Sequence, residues 1–83
     1  MITKESLGRA IAEYREKTGQ SQLDLADVSG ISIHTLRSWE QGKAYPGTLG
    51  LLRLSIALDL GTLELFTRAN EIALEATDAV HGR

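Results

Sequence analysis

The sequence predicts an all-α fold of five helices in one compact domain. Three observations lead there. Proline occurs once and no segment alternates β-branched with polar residues, so no strand is expected. Glycines punctuate the chain at intervals that suit short helices. Between them, apolar residues recur at the three- and four-residue spacing of a helical face. With 83 residues the chain has room for one domain, which buries only about 60–65% of its unfolded surface.

The first helix is predicted from about Thr3 to Thr18, ending at Gly19. Leu7, Ala10, Ile11 and Tyr14 form its apolar stripe. Gly8 is either a tolerated weakness in this helix or a point of close packing. The second helix begins at the clearest local signal, Ser21-Gln22-Leu23-Asp24. This is a capping box: the Ser21 hydroxyl accepts from the Asp24 amide and the Asp24 carboxylate reaches back. Leu25, Ala26 and Val28 follow, and Gly30 ends the helix in the left-handed conformation that a C-cap favours. Ser32 caps a third helix, from Ile33 to about Gln41, which Gly42 stops. Residues 43–47 form a loop. Thr48 is expected to cap a fourth helix to about Leu60, and Gly61-Thr62 restarts the chain into a fifth, helical to about Val80.

Residues 22–41 are the informative part. Two short helices meet across a tight turn, Ser29-Gly30-Ile31. Packing them at a steep angle needs a small residue at the crossing, and Ala26 supplies it. It needs a turn residue tolerant of positive φ, and Gly30 supplies that. Ile31 plugs the corner, while Leu36 and Trp39 face inward from the second helix. These are the requirements of a helix-turn-helix, met at its spacing.

At this point the sequence resembles the Cro/XRE-type, lambda-repressor-like regulators. The matching residues are Gln22-Leu23-Asp24-Leu25-Ala26, Gly30-Ile31-Ser32, Thr35 through Lys43 including Trp39-Glu40-Gln41-Gly42, then Pro46, Leu51-Leu52-Arg53-Leu54 and Leu58. The likeness extends from about Leu7 to Phe66. It implies a compact five-helix DNA-binding domain over residues 1–66, with 67–83 as a helical extension available for dimerisation.

The resemblance also implies roles. In that family the third helix enters the major groove with its N-terminal residues at base edges. The outward positions here are Ser32, Ile33, His34, Arg37 and Ser38. The residue matching Gln22 anchors to a phosphate, and the loop holding Lys43 and Tyr45 runs along the backbone; Arg53 is a further phosphate candidate. Arg37 suits either a phosphate or a bidentate contact to guanine O6 and N7. His34 can donate to a purine N7 or to a phosphate. Ile33 stands where the family often has a polar residue, and offers only a methyl contact to thymine. Arg37, Lys43, Arg53 and His34 also have a plain alternative as solvated side chains, and Tyr45 one as a packing residue. Glu40 is expected to pair locally rather than touch a base.

Charge and composition frame this reading. The net charge of −2 runs against nucleic acid, but it is unevenly distributed. Residues 29–57 carry Arg37, Lys43 and Arg53 against Glu40 alone, whereas the flanking segments are net acidic. The chain has no cysteine, which excludes disulfides and cysteine-ligated metals. His34 and His81 stand too far apart to suggest a metal site. No segment has the pattern of a nucleophile elbow or a phosphate-cradling glycine loop, so no enzyme and no cofactor are expected. No window approaches the ~18 consecutive apolar residues of a membrane span, and the opening residues lack a signal-peptide core, so the expected location is the cytoplasm.

The partners expected are double-stranded DNA and a second copy of the chain, the protein acting as a repressor. The alternative is an antitoxin that binds a toxin protein and represses its own promoter. For the second copy, helix 4 offers Leu49, Leu52 and Ile56 as a stripe apart from the inward Leu51, Leu54 and Leu58. Helix 5 adds Phe66, Ala69, Ala73, Ala76 and Val80, with Leu65 and Ile72 alongside, a repeat suited to packing along another helix. The competing expectation is that helix 5 folds back on helix 4 of its own chain and covers the stripe.

Overall fold

The computed structural model describes residues 1–81, with side chains placed through residue 77. The side chains of Asp78, Val80 and His81, which the sequence reading used, lie outside the described residues. Five helices follow one another: α1 Lys4–Lys17, α2 Gln22–Ser29, α3 Ile33–Glu40, α4 Thr48–Ala57 and α5 Thr62–His81. Among the described residues there is no strand, and no helix is long and apolar enough to cross a membrane.

Local chemistry fixes most helix ends. Thr3 caps α1 in a reciprocal box with Ser6, each side chain bonded to the other's backbone N–H at 2.9 Å. The Ser21–Asp24 box opens α2 as expected, at 3.0 and 3.2 Å. Gly30 closes it at φ 73°, a left-handed turn that a residue with a Cβ rarely adopts. Helix α4 corrects the expectation for Thr48. Gly47 holds the extended cap conformation, Thr48 is already the first helical residue, and no side chain caps this helix.

The core gathers Leu7, Ala10 and Ile11 of α1, Leu25 and Ala26 of α2, Ile31, Leu36 of α3, Leu51, Leu54 and Leu58, and Leu65 and Ala69 of α5. Trp39, expected in the core, lies half-buried against it. Gly8 proves to be a close-packing point: a Cβ there would run into the backbone carbonyl of Trp39. Residue 50 is glycine for a related reason, since a Cβ there would strike the Trp39 ring.

Helix α5 departs from both expectations. It folds back on its own chain, but mainly along α1 rather than α4. Ala69 is thereby fully buried within the protomer and is not available to a second copy. Phe66 is half-buried against the same core, and Ala73 lines a groove between α1 and α5. Arg68 ties the two helices with a pair of hydrogen bonds to Glu13, at 2.7 and 3.2 Å. The sequence showed that α5 has a packing face, but a 3-4 repeat does not say which helix will cover it. The helix 4 stripe stays bare: Leu49, Leu52 and Ile56 are 60%, 50% and 72% exposed.

Candidate nucleic-acid interface

Helix α3 sorts its residues by face. Ser32 caps it, its hydroxyl accepting from the His34 amide at 3.2 Å. Leu36 points fully inward. Three residues before it, Ile33 lies on the same side and is half-buried against the core. That placement corrects the expectation of an outward Ile33, and it explains an apolar residue at that position. Ser32, His34 and Arg37 are exposed, and Ser38 is half-buried. After the helix, the Lys43 amide donates to the Ser38 carbonyl at 3.0 Å, and Pro46 is buried. Between them Lys43 and Tyr45 stand exposed, as does Arg53 on α4.

Behind this surface lies a polar network that the sequence did not reveal. Arg15 of α1 grips Glu40, at the end of α3, with Nε at 2.7 Å and Nη2 at 3.0 Å. The pair is nearly closed to solvent, its side chains 13% and 5% exposed. The remaining Arg15 nitrogen, Nη1, donates to the Gln20 carbonyl at 3.0 Å and pins the α1–α2 connection. The hydrogen bond to Glu40 holds the Arg15 guanidinium above its ordinary pKa, against burial, which works the other way. Gln22 Nε2 donates to Glu40 at 2.9 Å, and Gln22 Oε1 accepts from Arg37 Nε at 3.4 Å. Glu40 thus pairs inside the protein, as expected, but with partners 25 and 18 residues away in the chain. No local pattern signals contacts of that range.

The basic residues divide into two sets. Arg9, Arg15 and Arg68 are each engaged by a carboxylate. Among the described residues, no carboxylate within ion-pair distance meets Arg37, Lys43 or Arg53. Lys4 and Lys17 of α1 likewise have none. Of the arginines with described side chains, the two without a carboxylate are Arg37 of the motif's second helix and Arg53 of α4.

The helix-turn-helix family matches residues 11–65, well over half of the chain. This protein belongs to that family. The match takes in both helices of the motif, the loop and α4, which agrees with the likeness to Cro/XRE-type regulators read from the sequence. Among solved structures, the family member superposes on the restriction-modification controller protein C.AhdI from Aeromonas hydrophila. There the TM-score is 0.73 at 31% identity, covering 75% of this chain and 94% of that one. The clp gene regulator ClgR from Corynebacterium glutamicum gives a TM-score of 0.85 at 26% identity, over 96% of this chain and 86% of that one. A search of curated protein sequences finds no match. The second likeness takes in nearly all of this chain, so the five-helix arrangement is shared beyond the motif itself.

Proposed function

We propose that this DNA-binding transcriptional regulator acts as a dimeric repressor that reads the major groove with α3. The carrying observation is the division of the cations. Arg37, Lys43 and Arg53 stand exposed without carboxylate partners among the described residues, while Arg15 and Arg68 are held by carboxylates of other helices. Ser32, His34, Arg37 and Ser38 are the base-edge candidates. Gln22, Lys43, Tyr45 and Arg53 are the phosphate candidates. The names of the two neighbours, a controller protein and a gene regulator, support the regulatory reading. The toxin-binding alternative finds no such support. Such a role places the protein in the cytoplasm.

Dimerisation belongs to the same proposal. One recognition helix reads few base pairs, and two-fold dimers of this motif read half-sites about one turn, ~34 Å, apart. The exposed Leu49, Leu52 and Ile56 stripe supports a second copy on α4. The helical extension is taken to begin after residue 66, within α5, which runs through that point without a break.

The test is selection of bound duplexes from random DNA by the full chain. An enriched inverted repeat is expected, and a promoter carrying it should be silenced when the protein is expressed. Binding to the repeat should show a log–log salt slope of about −5 to −7 for three to four phosphate contacts per subunit. Absence of any enriched sequence would refute the reading. A monomer by sedimentation at about 100 μM, free and on the repeat, would refute the dimer; Ile56→Glu should break it.

A further inference from the structure

The polar network behind α3 has one member with a foot in each world. Gln22 is half-buried, between the closed Arg15–Glu40 pair and the exposed Arg37. Its orientation follows from chemistry. An ionised carboxylate only accepts hydrogen bonds, so the Gln22 amide must turn its NH2 toward Glu40. Oε1 then faces away, where it accepts from Arg37 Nε. One N–H of the amide stays free for a phosphate.

We propose that Gln22 is a positioning residue for DNA readout: fixed by Glu40, it presents Oε1 to Arg37 Nε and aims the guanidinium outward. This rests on the reading of α3 as the recognition helix. At 3.4 Å the Gln22–Arg37 bond is long, so it restrains direction more than it adds strength. Direction is what matters for an exposed arginine. A free guanidinium side chain loses rotamer freedom when it docks, and a side chain already aimed loses less. With Nε engaged by Gln22, both terminal nitrogens stay available for a forked contact. Order is handed outward in steps: Arg15 fixes Glu40, Glu40 fixes Gln22, and Gln22 limits Arg37.

The experiment uses the full chain, the duplex most enriched in the selection above, and a scrambled duplex of the same composition. Gln22→Met removes both polar atoms at nearly constant length and leaves the Arg15–Glu40 pair in place. Gln22→Asn, too short to span Glu40 and Arg37, serves as the second variant should the first fail to fold. The variant should lose about three- to tenfold more affinity for the selected duplex than for the scrambled one. In an Arg37→Ala background that excess should shrink below about twofold. In the free protein, the Arg37 Nε–H resonance should report freer motion once Gln22 is replaced. Equal weakening on both duplexes would mark Gln22 as a phosphate anchor alone and overturn the proposal. So would an excess that persists without Arg37, or an unchanged Arg37 resonance alongside a successful selection. Failure to enrich any duplex would instead bring down the recognition-helix reading, and this proposal with it.

Discussion

Two arginines of this protein make the same bidentate contact with a carboxylate in different surroundings. Arg15 and Glu40 meet between α1 and α3, almost closed to water. Arg68 and Glu13 meet between α5 and α1, partly exposed, with Glu71 at 3.2 Å and Glu75 at 3.4 Å crowding the same guanidinium. Burial changes what such a contact is worth. In the closed site, leaving either ion alone is costly, because little water reaches it to replace the missing partner. At the open site water and neighbouring carboxylates stand in, so loss of one partner is mostly absorbed. The buried pair specifies how three helices meet, and the exposed pair clips a helix that apolar contacts already hold.

The largest expected effect tests that contrast directly. Glu40→Ala leaves Arg15 without its carboxylate in a site with little access to water and should cost about 3–5 kcal/mol, lowering the melting temperature by tens of degrees. A loss under about 1 kcal/mol would mean the pair is solvated after all. Replacing both partners, Arg15→Met with Glu40→Leu, should return stability to within about 2 kcal/mol of the parent. The same double variant should still lose discrimination between DNA duplexes, since Gln22 loses its holder. Should stability and discrimination recover together, the buried pair would have no role beyond filling space.

Smaller effects belong to the open site. Arg68→Ala should lower the unfolding temperature only slightly, and less at high salt. A cost as large as that of Glu40→Ala would erase the distinction. The Arg68 guanidinium also holds the Glu13 carboxyl below its ordinary pKa, chiefly by hydrogen bonding, with burial opposing. A carboxyl lowered in the folded state adds stability that is present above its unfolded pKa, about 4.3, and is lost as pH falls through the lowered native value. Stability should therefore decline by under about 1 kcal/mol as acid protonates Glu13, and Glu13→Gln should remove that part of the decline. An acid limb unchanged in the Glu13→Gln protein would show that other carboxylates carry it.

What was legible in the sequence was local. The Ser21–Asp24 box, the left-handed Gly30 and the inward Leu36 each depend on residues within a few positions, and each is where the spacing put it. The reading failed where a partner lies far along the chain. Arg15 and Glu40 are separated by 25 residues, and nothing near either one names the other. Ile33 looked outward because it begins a recognition helix, yet its position three residues before Leu36 turns it toward the core. Helix α5 announced a packing face, but its choice of α1 depends on shape across the whole molecule. Thr48 lost its capping role to Gly47 because the backbone angles, not the better side chain, set the first helical residue. Which of the outward residues touch bases is set by the complex with DNA and not by any spacing within the chain.

The packing around Trp39 has a practical consequence. It is the only tryptophan in the chain. Bare backbone meets it on two sides, its carbonyl facing Gly8 of α1 and its ring facing Gly50 of α4. No flexible side chain cushions either contact, so a small shift of the recognition helix against its scaffold must change what the indole touches. Its ultraviolet emission is therefore a built-in optical gauge of how α3 is seated, readable at low concentration and without an attached dye. Phosphate or base contacts that tug on α3 would register in the colour of that one residue.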